Sequence, residues 1–240
     1  MAIQAVSGER PRKRTRRRVK HPWLRHAALI ALGVLAALFL SIVAFRFINP
    51  PFTTVMIAEK LKGYTFRRHW VPLDDISPSL PLAAIASEDG RFCVHWGVDW
   101  GAVREALDDG GFRGASTIPM QTAKNLYLWN GRSYTRKALE MPLAYVMSFI
   151  WPKRRMMEVY LNVAQWGPGI FGAEAASRYY FHKSAAELTR REAIMLAVAL
   201  PSPRLRNPAK PSARMLRIAG AVERRLPILA QRSNCVLPQP

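Results

Sequence analysis

Ser87-Glu88-Asp89-Gly90-Arg91-Phe92-Cys93-Val94-His95-Trp96-Gly97 puts two adjacent carboxylates at the end of an apolar segment, Leu82 to Ala86. An aromatic residue, a histidine and a glycine follow at fixed spacing. A carboxylate held against apolar surroundings has its pKa raised toward neutrality, as a general base requires. The same letters also suit a helix end with a solvated acidic turn. A second block lies downstream, Gly114-Ala115-Ser116-Thr117-Ile118-Pro119-Met120-Gln121-Thr122-Ala123-Lys124-Asn125-Leu126.

Working outward, the surroundings are helical. Apolar positions recur at helical spacing over 53–64 (Val55, Ile57, Ala58, Leu61) and 98–110 (Val98, Ala102, Val103, Ala106, Leu107). Residues 80–89 read as a short helix entering the first block. Gly110, Gly111 and Gly114 mark a flexible loop. Helices are expected at about 117–129, 133–150 and 153–165. The run Gly167-Pro168-Gly169-Ile170-Phe171-Gly172 is a tight glycine-rich turn, and a helix resumes from Ala173 to Tyr180. Thr189-Arg190-Arg191-Glu192 has the form of a capping box opening a helix through Leu200, which Pro201 ends. A last helix runs from about Ser212 to Arg225. Few segments alternate as strands do, so the fold class is mostly α.

Ala27 to Phe45 is a run of 19 residues without a charge. As a helix it spans roughly 28 Å, close to the hydrocarbon thickness of a bilayer. A basic block with nine Lys/Arg, Arg10 to Arg25, precedes it, and Arg46 and Asn49-Pro50-Pro51 follow as a helix stop. The positive excess places the N-terminal side in the cytoplasm and the rest in the periplasm. A cleaved signal peptide is the alternative, but the run is longer than a usual signal core and no small-x-small site precedes Arg46. A nucleic-acid-binding tail is another use of such charge. The adjacent apolar helix favours anionic lipid instead, so nucleic acid is not expected as a partner. The organisation read from this is a basic cytoplasmic tail (1–26), a transmembrane helix (27–48), one domain (49–230) and a C-terminal tail (231–240).

The formal charge is +20, of which nine basic residues and one acidic residue through His26 account for +8. The remainder is basic in its own right, which suits anionic lipid and pyrophosphate. Outside the anchor and tail, about 190 residues suffice for one core. Cys93 and Cys235 are far apart in sequence, and Cys235 falls in a loose C-terminal tail, so a reduced, unpaired pair is expected.

The two opening blocks resemble the E-D-x-x-F-x-x-H-x-G and G-x-S-T-x-x-x-Q-x-x-K-N-L motifs of the peptidoglycan glycosyltransferases (glycosyltransferase family 51), which polymerise lipid II. Three further blocks extend the resemblance through most of residues 80–208. Arg136-Lys137-Ala138-Leu139-Glu140 matches R-K-x-x-E. Lys153 through Tyr160-Leu161-Asn162 matches K-x-x-I-x-x-x-Y-L-N, with Met157 near the aliphatic position. Arg191-Glu192-Ala193 through Pro201-Ser202-Pro203 and Asn207-Pro208 form the fifth. The chain is similar to the monofunctional branch, because it stops where bifunctional relatives carry a penicillin-binding transpeptidase domain. The resemblance implies a lysozyme-like large helical lobe with a smaller jaw lobe touching the membrane.

It also implies a reaction. A glycan linked to undecaprenyl pyrophosphate is the donor, the 4-hydroxyl of lipid II is the acceptor, and attack with inversion makes a β-1,4 bond. By resemblance Glu88 is the base. Lys124, Arg132 and Arg136 meet the pyrophosphate, whose developing charge needs cations. Glu140 is the second carboxylate; at i+4 from Arg136 it orients the cations and shapes the acceptor side, or else forms an ordinary surface ion pair. Ser116, Thr117 and Gln121 would hydrogen-bond phosphate or sugar. Asp89, Phe92, His95, Asn125 and Asn162 are expected to be structural. The chain departs from the family's S-T-I-T-Q-Q at Pro119 and Met120, which removes two polar side chains. No cofactor is required, and no His/Asp cluster demands a metal, although a divalent cation (Mg or Mn) at the pyrophosphate is compatible with the chemistry. Membrane lipid is a further partner, and other cell-wall synthesis or division proteins are compatible ones. Two rivals are a lytic enzyme of the same fold, which needs a general acid more than a cation cluster, and a membrane-anchored scaffold without activity.

Overall fold

A computed structural model describes residues 22–108, 116–131 and 133–237. The glycines expected to form a flexible loop, Gly110, Gly111 and Gly114, lie outside the described residues, as do Arg132 and the basic tail through His21. The chain divides into two compact units, Met1–Ser41 and Ile42–Pro240.

The first unit carries most of helix α1 (Pro22–Phe45). Its apolar stretch, Trp23–Phe45, is long and hydrophobic enough to cross a bilayer, with Leu29, Ile30, Leu32, Val34, Leu35 and Leu40 exposed. Such a helix is compatible with a single-pass membrane anchor.

The second unit is a helical core with one short hairpin. Among the described residues its helices are α2 (Thr54–Leu61), α3 (Ser79–Glu88), α4 (Trp100–Asp108), α5 (Ile118–Tyr127), α6 (Tyr134–Ile150), α7 (Lys153–Val163), α8 (Ala173–Phe181), α9 (Arg190–Ala199) and α10 (Ala213–Arg232). Strands β1 (Gln165–Gly167) and β2 (Ile170–Phe171) pair antiparallel within the glycine-rich turn. Gly169 sits at φ +68°, and a Cβ there would meet the Thr65 carbonyl oxygen at 2.5 Å. Only glycine fits that turn.

Helix α3 is the central element. Leu80, Pro81, Ala83, Ala84, Ile85 and Ala86 are all buried, the mark of a helix enclosed by others. Its small alanines let it pack closely on α9, which is itself buried from Ala193 to Ala199, and α10 covers both. The capping box at Thr189 and Glu192 forms as its spacing predicts. Trp166 and Tyr160 are the largest fully buried side chains. The Trp166 indole donates to the Leu196 carbonyl at 3.0 Å, so its polar edge is satisfied inside the core.

The structure corrects several expectations. On α2 the apolar letters Ile57 and Leu61 are exposed, whereas Glu59 is fully buried. Glu59 is drawn inward because Arg204, Lys62 and the Gln165 amide all donate to its carboxylate, which offsets the cost of burying charge. On α4, Val103 and Ala106 are buried but Leu107 is exposed. Helix α10 continues past Arg225 and through Pro227 to Arg232. Leu226 is buried one residue before that proline, and this packing offsets the hydrogen bond that proline removes.

The largest correction concerns the cysteines. Cys93 and Cys235 form a disulfide that closes a separation of 142 residues. Residues after α10 are packed: Ser233 and Val236 are buried, and Arg154 donates to the Val236 carbonyl at 2.8 Å. Sequence distance does not measure spatial distance when α10 lies against α3, whose end leads into Cys93. Three consecutive residues of the fourth block each pin a different segment. Lys153 donates to the His95 carbonyl, Arg154 holds the C-terminal segment and Asp74, and Arg155 donates to the Phe45 and Ile48 carbonyls.

These ties set measurable stabilities. Cys93→Ser with Cys235→Ser is expected to lower the unfolding free energy by about 2–4 kcal/mol, the scale of a long-loop disulfide. Denaturant titration with and without reductant checks it: reductant should destabilise the wild type and leave the double variant unchanged. The buried Trp151 indole donates to the Ile42 carbonyl at 2.7 Å. Deleting residues 1–41 keeps that acceptor and deleting 1–46 removes it. The longer deletion also removes the buried Ile42 side chain and the Phe45 carbonyl that Arg155 donates to. It should therefore melt at least about 5 °C lower, the scale of one unsatisfied buried donor being its lower bound.

Candidate active site

Helix α3 ends at Glu88 because Asp89 leaves helical geometry, at φ −158° and ψ 71°. The Asp89 carboxylate is buried. It accepts the Ile118 backbone amide at 2.9 Å and faces His95 Nε2 at 2.8 Å. One side chain therefore fixes the start of α5, the end of α3 and the loop between. Phe92 is fully buried under the Lys153 ammonium, 4.6 Å from its ring centre. Gly97 closes the loop at φ +93°, and a Cβ there would meet the Ala144 carbonyl oxygen at 2.7 Å. The histidine and the glycine of this block are thus parts of the scaffold.

Glu88 is half-buried at the rim of a cleft. Gln121 Nε2 donates to its Oε2 at 2.9 Å and the Ser87 hydroxyl donates to Oε1 at 3.0 Å. Burial raises the Glu88 pKa; these two hydrogen bonds, then Lys124 and Arg206, oppose it without cancelling it. The buried Tyr160 hydroxyl donates to Gln121 Oε1 at 3.1 Å, which turns the amide so that its nitrogen faces Glu88.

Lys124 follows Gln121 by three residues, on the same side of α5. Burial lowers its pKa to about 8, with Arg136 adding to the effect and Glu88 opposing it. Arg136 and Glu140, one turn apart on α6, form an ion pair. Glu140 is buried, so the pair is no solvated surface bridge. Glu88, Gln121, Lys124 and Arg136 thus form one electrostatic row. Two cavities flank it. One, of about 300 Å³, is lined by Glu88, Asp99, Glu105, Ser116 and Thr117. The other, of about 620 Å³, is lined by Gln121, Lys124, Asn125, Gln165, Ser202 and Arg204.

The remaining sequence candidates divide between cavity and scaffold. The Thr117 hydroxyl caps α5 by accepting from Met120 N and donates to the Gly97 carbonyl, so the fold takes up its bonding capacity. Asn162 is fully buried and exchanges hydrogen bonds with the Val71 backbone. Asn125 is buried at the wall of the larger cavity. Arg132 lies outside the described residues. Pro119 falls in the first turn of α5, where its missing amide costs nothing, and Met120 is fully buried in a cluster with Val98, Val103 and Ala144. The departure at these two positions therefore faces the core. Sequence reading passed over Arg206 and Tyr160. Tyr160 was readable as the tyrosine of the fourth block; nothing local marks Arg206. Among the described residues no group of three His, Cys, Asp or Glu is placed to hold a metal ion.

A family model described as transglycosylase matches residues 55–231. The chain belongs to the transglycosylase family. It is 51% identical over 213 residues to a biosynthetic peptidoglycan transglycosylase of Agrobacterium fabrum, covering 87% of this chain and 94% of that protein. It is 50% identical to proteins of the same description from Rhizobium meliloti (84% of this chain, 87% of that protein) and Brucella suis (81% and 88%). For this transglycosylase, family membership and the mostly-α fold agree.

The raised Glu88 pKa makes a stability prediction with a definite sign. Between its unfolded and folded pKa values the native state holds the extra proton, so stability falls as pH rises through that window. Above it the ionised, desolvated carboxylate is a standing cost. Glu88→Gln should therefore melt higher than wild type at pH 8, and the gain should shrink at pH 4. Thermal melts at the two pH values check this; a gain that grows on acidification would contradict it.

Proposed function

We propose that this transglycosylase polymerises lipid II into β-1,4-linked glycan with inversion, releasing undecaprenyl pyrophosphate. The observation that carries the reading is a desolvated carboxyl, Glu88, bonded to Gln121 and coupled electrostatically to Lys124, a half-buried lysine on the same helix as Gln121 that also feels Arg136. Glu88 removes the proton from the acceptor 4-hydroxyl, so the acceptor sugar belongs in the cavity that Glu88 lines. The hydroxyl oxygen bonds to C1 of the donor sugar as the bond from C1 to the pyrophosphate oxygen breaks. The electron pair leaves with the pyrophosphate, whose growing charge needs cations. Lys124, Arg136 and Arg132 supply them, so the donor occupies the larger cavity. Glu140 holds Arg136 in place. Gln121 and Ser87, which donate to Glu88, and Ser116, which lines the same cavity, are the hydrogen-bonding groups around the reacting hydroxyl. The biosynthetic activity named for the relatives favours polymer formation over glycan cleavage.

The same reading sets the protein in the inner membrane as a single-pass protein, with the 49–230 domain in the periplasm. The basic run before α1 supports that orientation. The Cys93–Cys235 disulfide supports it independently, because such bonds persist in oxidising compartments. Exposed Tyr134, Leu139, Val146 and Phe149 on α6, with exposed Trp100 whose indole donates to the Tyr145 hydroxyl of that helix, give a jaw lobe apolar area to place against lipid.

Labelled lipid II tests the reading. The full chain in detergent should form polymer and should not solubilise cell-wall fragments. Glu88→Gln should lower turnover by roughly 10²-fold or more, the scale of general-base loss. The kcat/KM profile should be bell-shaped: its acid limb lies above the usual carboxylate range because Glu88 must be ionised, and its alkaline limb lies near 8 because Lys124 must be charged. Lys124→Arg should move the alkaline limb upward. Near-normal polymerisation by Glu88→Gln would remove the base from this carboxylate.

A further inference from the structure

A third cavity, of about 450 Å³, lies between the end of α3 and α10. Its walls carry Arg214, Arg217 and Arg225 with the apolar Ile218 and Val222, and no acidic side chain among the described residues lines it. Arg214 and Arg217 are exposed and make no ion pair among the described residues. Three cations on one helix face repel one another, and no carboxylate of the cavity wall offsets this. The cavity neighbours the Glu88 cleft, since Ala86, Ser87 and Arg225 line both.

We propose that this groove binds the acidic peptide stem of the acceptor, positioning lipid II for transfer. The inference rests on the polymerase reading above for the identity of the substrate. Two features select the occupant. The groove shares the Ala86, Ser87 and Arg225 wall with the cavity into which the acceptor hydroxyl must reach. Its lining combines cations for carboxylates with apolar surface for alanyl side chains, and its volume is that of an ordinary ligand site. A muramyl peptide stem carries both kinds of group and branches from the sugar next to the one that reacts. Arg214 and Arg217 are specificity-determining residues in this arrangement and take no part in proton transfer.

The test uses the full chain in detergent and a fluorescent, soluble muramyl pentapeptide. Anisotropy should show saturable binding that weakens with salt. Arg214→Gln with Arg217→Gln should weaken it about five-fold, the scale of two exposed charge contacts. A stem with amidated carboxylates should bind the wild type as poorly as the free-acid stem binds the double variant. With lipid II, the double variant should show a raised KM and unchanged kcat, and on a lipid-linked disaccharide lacking the stem the two proteins should coincide. Equal binding of the stem by both proteins, or no saturable binding by the wild type, overturns the proposal. So does a double variant that loses only binding to phosphatidylglycerol vesicles, which would make the groove a lipid-headgroup site. If the wild type binds the stem through these arginines but makes no polymer, the polymerase reading fails and the groove assignment stands. If it makes polymer but binds the stem without these arginines, the groove assignment fails and the polymerase reading stands.

Discussion

The Asp89 carboxylate is the constraint on which the site depends. It is buried between the Ile118 amide, which opens α5, and the His95 imidazole, which lies in the loop after α3. Removing it would leave a buried amide and a buried ring nitrogen without their acceptor, at a cost of about 1–3 kcal/mol for each. The geometric consequence is larger than the energetic one. Glu88 is the preceding residue and Gln121 is one turn into the helix that Ile118 opens. The bridge therefore sets the separation of Glu88 and Gln121, and through Gln121 that of Glu88 and Lys124. The adjacent carboxylates of one sequence motif thus do different work: one is spent on structure so that the other can be held half-buried at the cleft.

Charge balance explains why so basic a domain can hold such a carboxylate poised. Desolvation pushes Glu88 toward the protonated form, while two neutral donors and two cations pull it back. Had Lys124 or Arg206 closed to a direct ion pair, the carboxylate would sit low and be a weak base. Neither cation forms an ion pair with Glu88; its direct partners are the neutral Gln121 and Ser87, and Tyr160 keeps Gln121 turned the right way. Lys124 is itself depressed by burial and by Arg136. An anionic ligand arriving beside it would favour its charged form, so the cation is most fully charged when a phosphate is present.

Much of this was readable in the sequence. The helices carrying the two opening blocks fall within a few residues of their apolar periodicity, and the Thr189 cap forms where its letters place it. What escaped depends on contacts between distant segments. Glu59 is an inward-facing charge on a helix whose apolar letters point outward, and its partners Gln165 and Arg204 lie more than 100 residues away. The disulfide needed α10 to run past Pro227 and bring Cys235 beside the Glu88 loop. The helix expected from the letters ends at about Arg225, two residues before that proline. Arg206 acts on Glu88 only because the turn after α9 folds back, its side chain donating to the Val198 carbonyl.

The Pro119–Met120 departure shows how to weigh a broken motif. A helix sorts its letters by angle, so a contiguous motif mixes positions that face different ways. On α5, Gln121 and Lys124 line the cleft, while Met120 and Ala123 are fully buried. A polar-to-apolar change at position 120 therefore alters core packing and leaves the cleft lining as it was. Pro119 goes further in the same direction. It presets the backbone at the helix start, directly beside the Ile118 amide that Asp89 accepts, and so reinforces the junction that positions Glu88.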